Sequence, residues 1–69
     1  MTTDQKIEHV RWYIKQIQKS SNRETKLNYI HRGGGALGAW FADMTLSHEH
    51  FNMLNAELDA EWKLILKEV

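Results

Sequence analysis

The sequence contains no cysteine and no proline, and each absence narrows the architecture differently. Without cysteine there is no disulfide framework and no thiolate metal cluster, two common reinforcements of very small domains. Without proline, nothing interrupts a helix by steric clash or by loss of an amide donor. Apolar runs are also scarce. The longest, Gly33 to Leu46, carries Asp43 and falls short of the roughly 20 residues that a membrane span requires. No apolar signal-peptide core stands at the N-terminus. These features predict a soluble, cytoplasmic protein with no membrane association.

A charge excess of one sign is lacking too, since nine Lys/Arg balance nine Asp/Glu. The balance is not local: residues 1–32 hold seven basic and three acidic residues, and residues 33–69 hold two and six. Basic and acidic helices lying against each other, within one chain or between copies, account for such a split.

At 69 residues the chain makes one domain, 1–69, near the lower size limit for independent stability. With disulfides excluded, oligomerisation or a partner is the remaining reinforcement. Apolar residues recur at three- and four-residue spacing almost throughout, so the expected fold is all-α, a compact bundle of three to four helices at about 3–19, 22–32, 35–44 and 48–68. Thr2 and Gln5 have the spacing of a capping box, and the stripe of the first helix is Ile7, Val10, Ile14 and Ile17. Ser20, Ser21 and Asn22 end that helix, and Ser21 with Glu24 offers the next box. Leu27 and Ile30 follow, with His31 and Arg32 in the last turn before the glycines.

Gly33, Gly34 and Gly35 set two rules against each other. Each glycine costs about 1 kcal/mol relative to alanine inside a helix, which favours a break. Leu27, Ile30, Gly34, Leu37, Phe41 and Met44 nevertheless hold a seven-residue rhythm, as in a helix that continues through the glycines and makes the second and third helices one. The expectation is a break. Gly34, Gly38 and Ala42, spaced by four, would suit a close helix crossing if the segment is helical.

The final helix starts at Ser47 as N-cap, with Glu49 in its first turn and Leu46 and Phe51 at the positions of a hydrophobic staple. Its main stripe is Phe51, Leu54, Leu58, Trp62, Ile65 and Val69. A second apolar face, Met53, Ala56, Ala60 and Leu64, points the other way, so a helix needing one buried side presents two. Trp12 repeats this pattern on the first helix, opposite the stripe. Tryptophan is a favoured interface anchor, whereas Trp40 and Trp62 are assigned to the core and Tyr13 and Tyr29 to its edge.

Motifs for chemistry are weak. Gly33, Gly35 and Gly38 match a dinucleotide-binding spacing, but no strand precedes them. His48 and His50 diverge by about 200° on a helix, so they do not share a metal ion readily. No nucleophile and base are grouped. The reading is therefore no enzyme, no catalytic residues, no metal and no cofactor. Arg11, Lys15 and Lys19 form a basic ridge that suits phosphate or an acidic protein surface, including Glu57, Asp59 and Glu61. The expected function is a small helical protein-protein interaction module, accessory or regulatory and self-associating, which binds a partner protein. Trp12, Met53, Ala60 and Leu64 would supply contact area, and Arg11, Lys15 and Lys19 electrostatic selectivity. The alternative is a small nucleic-acid-binding regulator that uses the ridge.

Overall fold

The structure is a computed structural model that describes residues 1–67. Three helices, α1 (Thr3–Lys19), α2 (Arg23–Ala42) and α3 (His48–Lys67), pack each against the other two, with no strand among the described residues. The expected last residues of the final helix and of its stripe, Glu68 and Val69, lie outside the described residues.

Local signals place most of the helix ends. At the start of α1, Thr2 N–H donates to Gln5 Oε1 at 2.8 Å and Gln5 N–H to Thr2 Oγ1 at 3.1 Å, a reciprocal box that satisfies two otherwise orphan amides. α2 is capped by Asn22, whose side chain accepts from the Thr25 amide at 3.2 Å, and not by the expected Ser21–Glu24 box. Ser20 instead accepts from the Asn22 amide and tightens the turn. Ser47 caps α3, accepting from the His50 amide at 3.2 Å.

The expected break at the glycines does not occur, and α2 runs unbroken through Gly33, Gly34 and Gly35. Propensity is a local preference of about 1 kcal/mol per glycine, and packing outweighs it. Gly33 and Leu37 are buried on one face of the helix, with Leu27, Ile30 and Trp40 packed beside the core. The seven-residue rhythm thus indicated continuity correctly, and its Leu27, Ile30 and Leu37 pack inward, but Gly34 is exposed and Met44 lies past the end of α2, 89% exposed.

Met44 itself ends the helix. Its φ of 64° is the only positive value at a non-glycine residue among those described. The Met44 amide donates to the Phe41 carbonyl at 3.2 Å and the Thr45 amide to the Trp40 carbonyl at 2.9 Å. This is the paired 5→2 and 6→1 bonding of a Schellman ending, in which the left-handed position normally belongs to glycine. A side chain there costs on the order of 1–2 kcal/mol. Met44→Gly is therefore expected to raise stability by about 1 kcal/mol, seen as a higher urea midpoint at unchanged slope.

Val10, Ile14, Ile17, Leu37, Leu46, Leu54, Leu58 and Ile65 form the core, with Ile7, Tyr29 and Phe51 packed against it. Trp40 and Trp62 are only partly buried, at the edge of the core and not in it. Lys6 joins the buried set at 7% exposure. Its Nζ donates to the Thr45 carbonyl at 3.1 Å and lies 5.7 Å from the Trp40 ring centre. A buried lysine stem with its charged end satisfied at the rim is ordinary amphipathic packing, and here it fastens the start of α1 to the α2–α3 turn. In that turn the Asp43 carboxyl is held below its ordinary range, chiefly by the Thr45 hydroxyl that donates to it at 2.6 Å. The Thr45 amide and the Lys6 charge act in the same direction, against a desolvation effect that raises it.

Candidate interaction surfaces

α1 presents different chemistry to its two neighbours. Toward α3, Arg11 reaches Glu57 with Nη2–Oε2 at 3.3 Å and Nε–Oε1 at 3.4 Å, and its Nη2 lies 3.8 Å from the Met53 sulfur. Farther along the same seam Gln18 donates to Glu61 at 2.8 Å. Exposed ion pairs of this kind contribute about 0–1 kcal/mol, so their consequence is mainly one of direction. Arg11, with 49% of its side chain exposed, reaches across the seam to Glu57, one of the acidic residues that the basic ridge was expected to suit.

Toward α2 the contacts are aromatic. The Tyr13 and Tyr29 ring centres are 5.9 Å apart, and His9 meets Tyr13 edge-on at 4.9 Å. Trp12 touches this group through edge contacts with Tyr13 at 5.3 Å and Tyr29 at 6.0 Å, and 50% of it remains exposed. Edge-to-face pairs of this type fix ring orientation, so Trp12 is presented in a defined pose on the outer surface.

The residues expected at a partner surface fall in two places. Met53 and Leu64, 38% and 54% exposed, and the exposed Ala60 line one edge of α3, with Arg11 against its Met53 end. Trp12, about 100° farther round α1 than Arg11, leans toward α2 instead. Arg11, Trp12 and Lys15 share a shallow groove of ≈ 310 Å³ with Glu8, which puts a carboxylate among the basic residues. Lys19 is exposed at the last position of α1.

The glycine segment departs from expectation. Gly34 and Gly38 do not line a close crossing within the chain, since a Cβ on either would meet nothing within 4 Å, and the same holds for Gly35. Ala42 is exposed as well. The close approach belongs to Gly33, where a Cβ would meet Leu58 Cδ2 at 3.3 Å and Tyr13 Cβ at 3.8 Å. One residue rotates a helix by about 100°, which carries Gly34 from the packed face to the rim of a groove of ≈ 270 Å³ between α2 and α3, beside Ile30, Leu58 and Trp62.

Grouped reactive chemistry is sparse. Among the described residues no three His, Cys, Asp or Glu side chains are placed to hold a metal ion. His48 stands edge-on to Phe41 at 4.7 Å, whereas His50 Nδ1 lies 2.8 Å from the Ser47 hydroxyl, so the two imidazoles serve different neighbours. Among the described residues no helix is long and apolar enough to cross a membrane.

Sequence reasoning passed over Lys6 and the 47%-exposed Leu66, and read Met44 only as the last member of the seven-residue rhythm. The spacing of Lys6 with Val10, Ile14 and Ile17 was a usable signal, hidden because a lysine is not scored as apolar. Met44 left no such trace, because its conformation follows from where α2 stops. A scan of protein-family models and searches of curated proteins and of solved structures find no match to this chain.

Proposed function

We propose that this chain is a small helical protein-interaction module that self-associates and acts by occupying the surface of a partner protein. The reading rests on one observation. Among the described residues eight apolar side chains close the core, and yet Trp12, Met53 and Leu64 stay substantially exposed. Scattered exposed apolar residues are ordinary. Here, however, two of them lie on one helix edge with alanines between, and the third is held in place by edge contacts with Tyr13 and Tyr29. Surfaces of that kind mark contact sites.

The nucleic-acid alternative draws less support. Arg11 is engaged by Glu57, and Glu8 lies in the groove formed with Lys15, which thins the positive field that phosphate binding requires. Light scattering over a hundredfold concentration range tests the main reading. The average mass should rise above the 8.1 kDa of one chain, while retention on immobilised DNA stays weak at physiological salt. A mass fixed at 8.1 kDa throughout, with steeply salt-dependent DNA retention, would transfer the function to the alternative.

A further inference from the structure

The exposed edge of α3 has an order that reads nearly the same in both directions. Glu49, Met53, Ala56, Ala60, Leu64 and Lys67 are all exposed, and at 100° per residue they fall in a stripe about 80° wide. Taken from either end inward, the stripe has a charged residue, a large apolar residue and an alanine, and the two end charges are opposite in sign. When a second copy of the helix is laid antiparallel with its midpoint at the level of Leu58, Glu49 meets Lys67 of the copy, Ala56 meets Ala60, and Met53 lies within one residue, about 1.5 Å along the axis, of Leu64. Apolar faces apolar, small faces small and acid faces base, twice over, as an isologous two-fold contact demands. The alanines at the centre let the two backbones approach closely.

The borders of the stripe suit the same arrangement. On the α1 side the two carboxylates that would otherwise repel across a two-fold axis are engaged within the chain, Glu57 by Arg11 and Glu61 by Gln18. On the other side Lys63 is bonded to Asp59 at 3.2 Å. Charge able to select an orientation is thus concentrated at the two ends of the stripe. A parallel pairing would set Glu49 against Glu49 and Lys67 against Lys67, and it would lose the match at both ends.

Resting on the self-association proposed above, we infer that the chain forms a two-fold homodimer through antiparallel pairing of α3, with Glu49–Lys67 contacts at both ends of the interface. One helix seam lies at the small end of stable interfaces, so the dimer exchanges and its Kd is measurable.

Sedimentation equilibrium at low salt tests the inference with Glu49→Lys, Lys67→Glu and their equimolar mixture, circular dichroism confirming that each variant is helical. Each single variant should dimerise about fivefold or more weakly, because both end contacts become like-charge. The mixture should recover the native affinity, because in the mixed dimer both ends again pair acid with base. Residues 49 and 67 are about 27 Å apart along one helix, so a defect within the chain would not be repaired by mixing. Leu64→Glu should leave a folded monomer. A dimer that tolerates Leu64→Glu, or singles that mixing does not rescue, would overturn the α3 pairing and leave self-association standing by another face. A native chain that is monomeric at every concentration would remove both.

Discussion

Replacing Gly34, Gly35 and Gly38 together with alanine is expected to stabilise the protein by about 2–3 kcal/mol, since each exposed helical glycine gives up about 1 kcal/mol relative to alanine. For a domain of this size that corresponds to a rise in Tm of about 10–20 °C, readable in a thermal melt followed by circular dichroism. The three positions qualify because a methyl group at each meets nothing. Gly33 is the internal control. Its added methyl would press on Leu58 at 3.3 Å and 3.4 Å, contacts that the flexible end of a leucine relieves only in part, so Gly33→Ala should be close to neutral. A loss of stability in the triple variant would mean that the outer face of α2 is covered in solution. The effect is large because a chain of 69 residues has a total stability of only about 3–10 kcal/mol.

The largest loss is expected at Leu54, which is 0% exposed and central to the packing of α3. Leu54→Ala should cost about 3–5 kcal/mol, the lost transfer energy plus the cavity left behind. Against the same total stability this removes about a third or more of what holds the chain folded, seen as a large drop in the urea midpoint. Leu64→Ala, on the exposed edge of the same helix, should change monomer stability by less than about 0.5 kcal/mol. The contrast, measured by urea unfolding at low protein concentration, separates the face that holds the fold from the face assigned to association. Equal effects would place Leu64 in the core and undo that assignment.

The two positions also illustrate how far the residues alone were readable. The stripe Val10, Ile14 and Ile17 and the stripe Leu54, Leu58 and Ile65 are buried as their spacing requires, because helical periodicity is a property of the local chain. The Thr2–Gln5 box and the Ser47 cap were legible for the same reason, since capping joins residues two or three apart. The exposed edge of α3 and the outward Trp12 were legible by exclusion, as apolar residues left over after the stripes were assigned.

What lay beyond such reading was each feature decided by contact between helices. Whether α2 broke at its glycines depended on the burial of Leu37 and Gly33 against the other helices, which propensity does not contain. Which glycine made the close approach depended on a rotation of about 100° that only the position of Leu58 resolves. The ridge was read as suiting Glu57, Asp59 and Glu61 as well as phosphate, but that Arg11 is the residue that reaches Glu57, 46 positions away, followed only from the packing of α1 on α3. Lys6 was hidden for want of Thr45 and Trp40 beside it.

Helix identity, the caps of α1 and α3 and the existence of surplus apolar faces were determined by the amino-acid sequence itself, because each depends on residues within about two turns of one another. The continuity of α2, the choice of Gly33 over Gly34, the pairing of Arg11 with Glu57 and the left-handed Met44 were decided only in the folded bundle. The local preferences in play are about 1 kcal/mol per residue, small enough for tertiary packing to override.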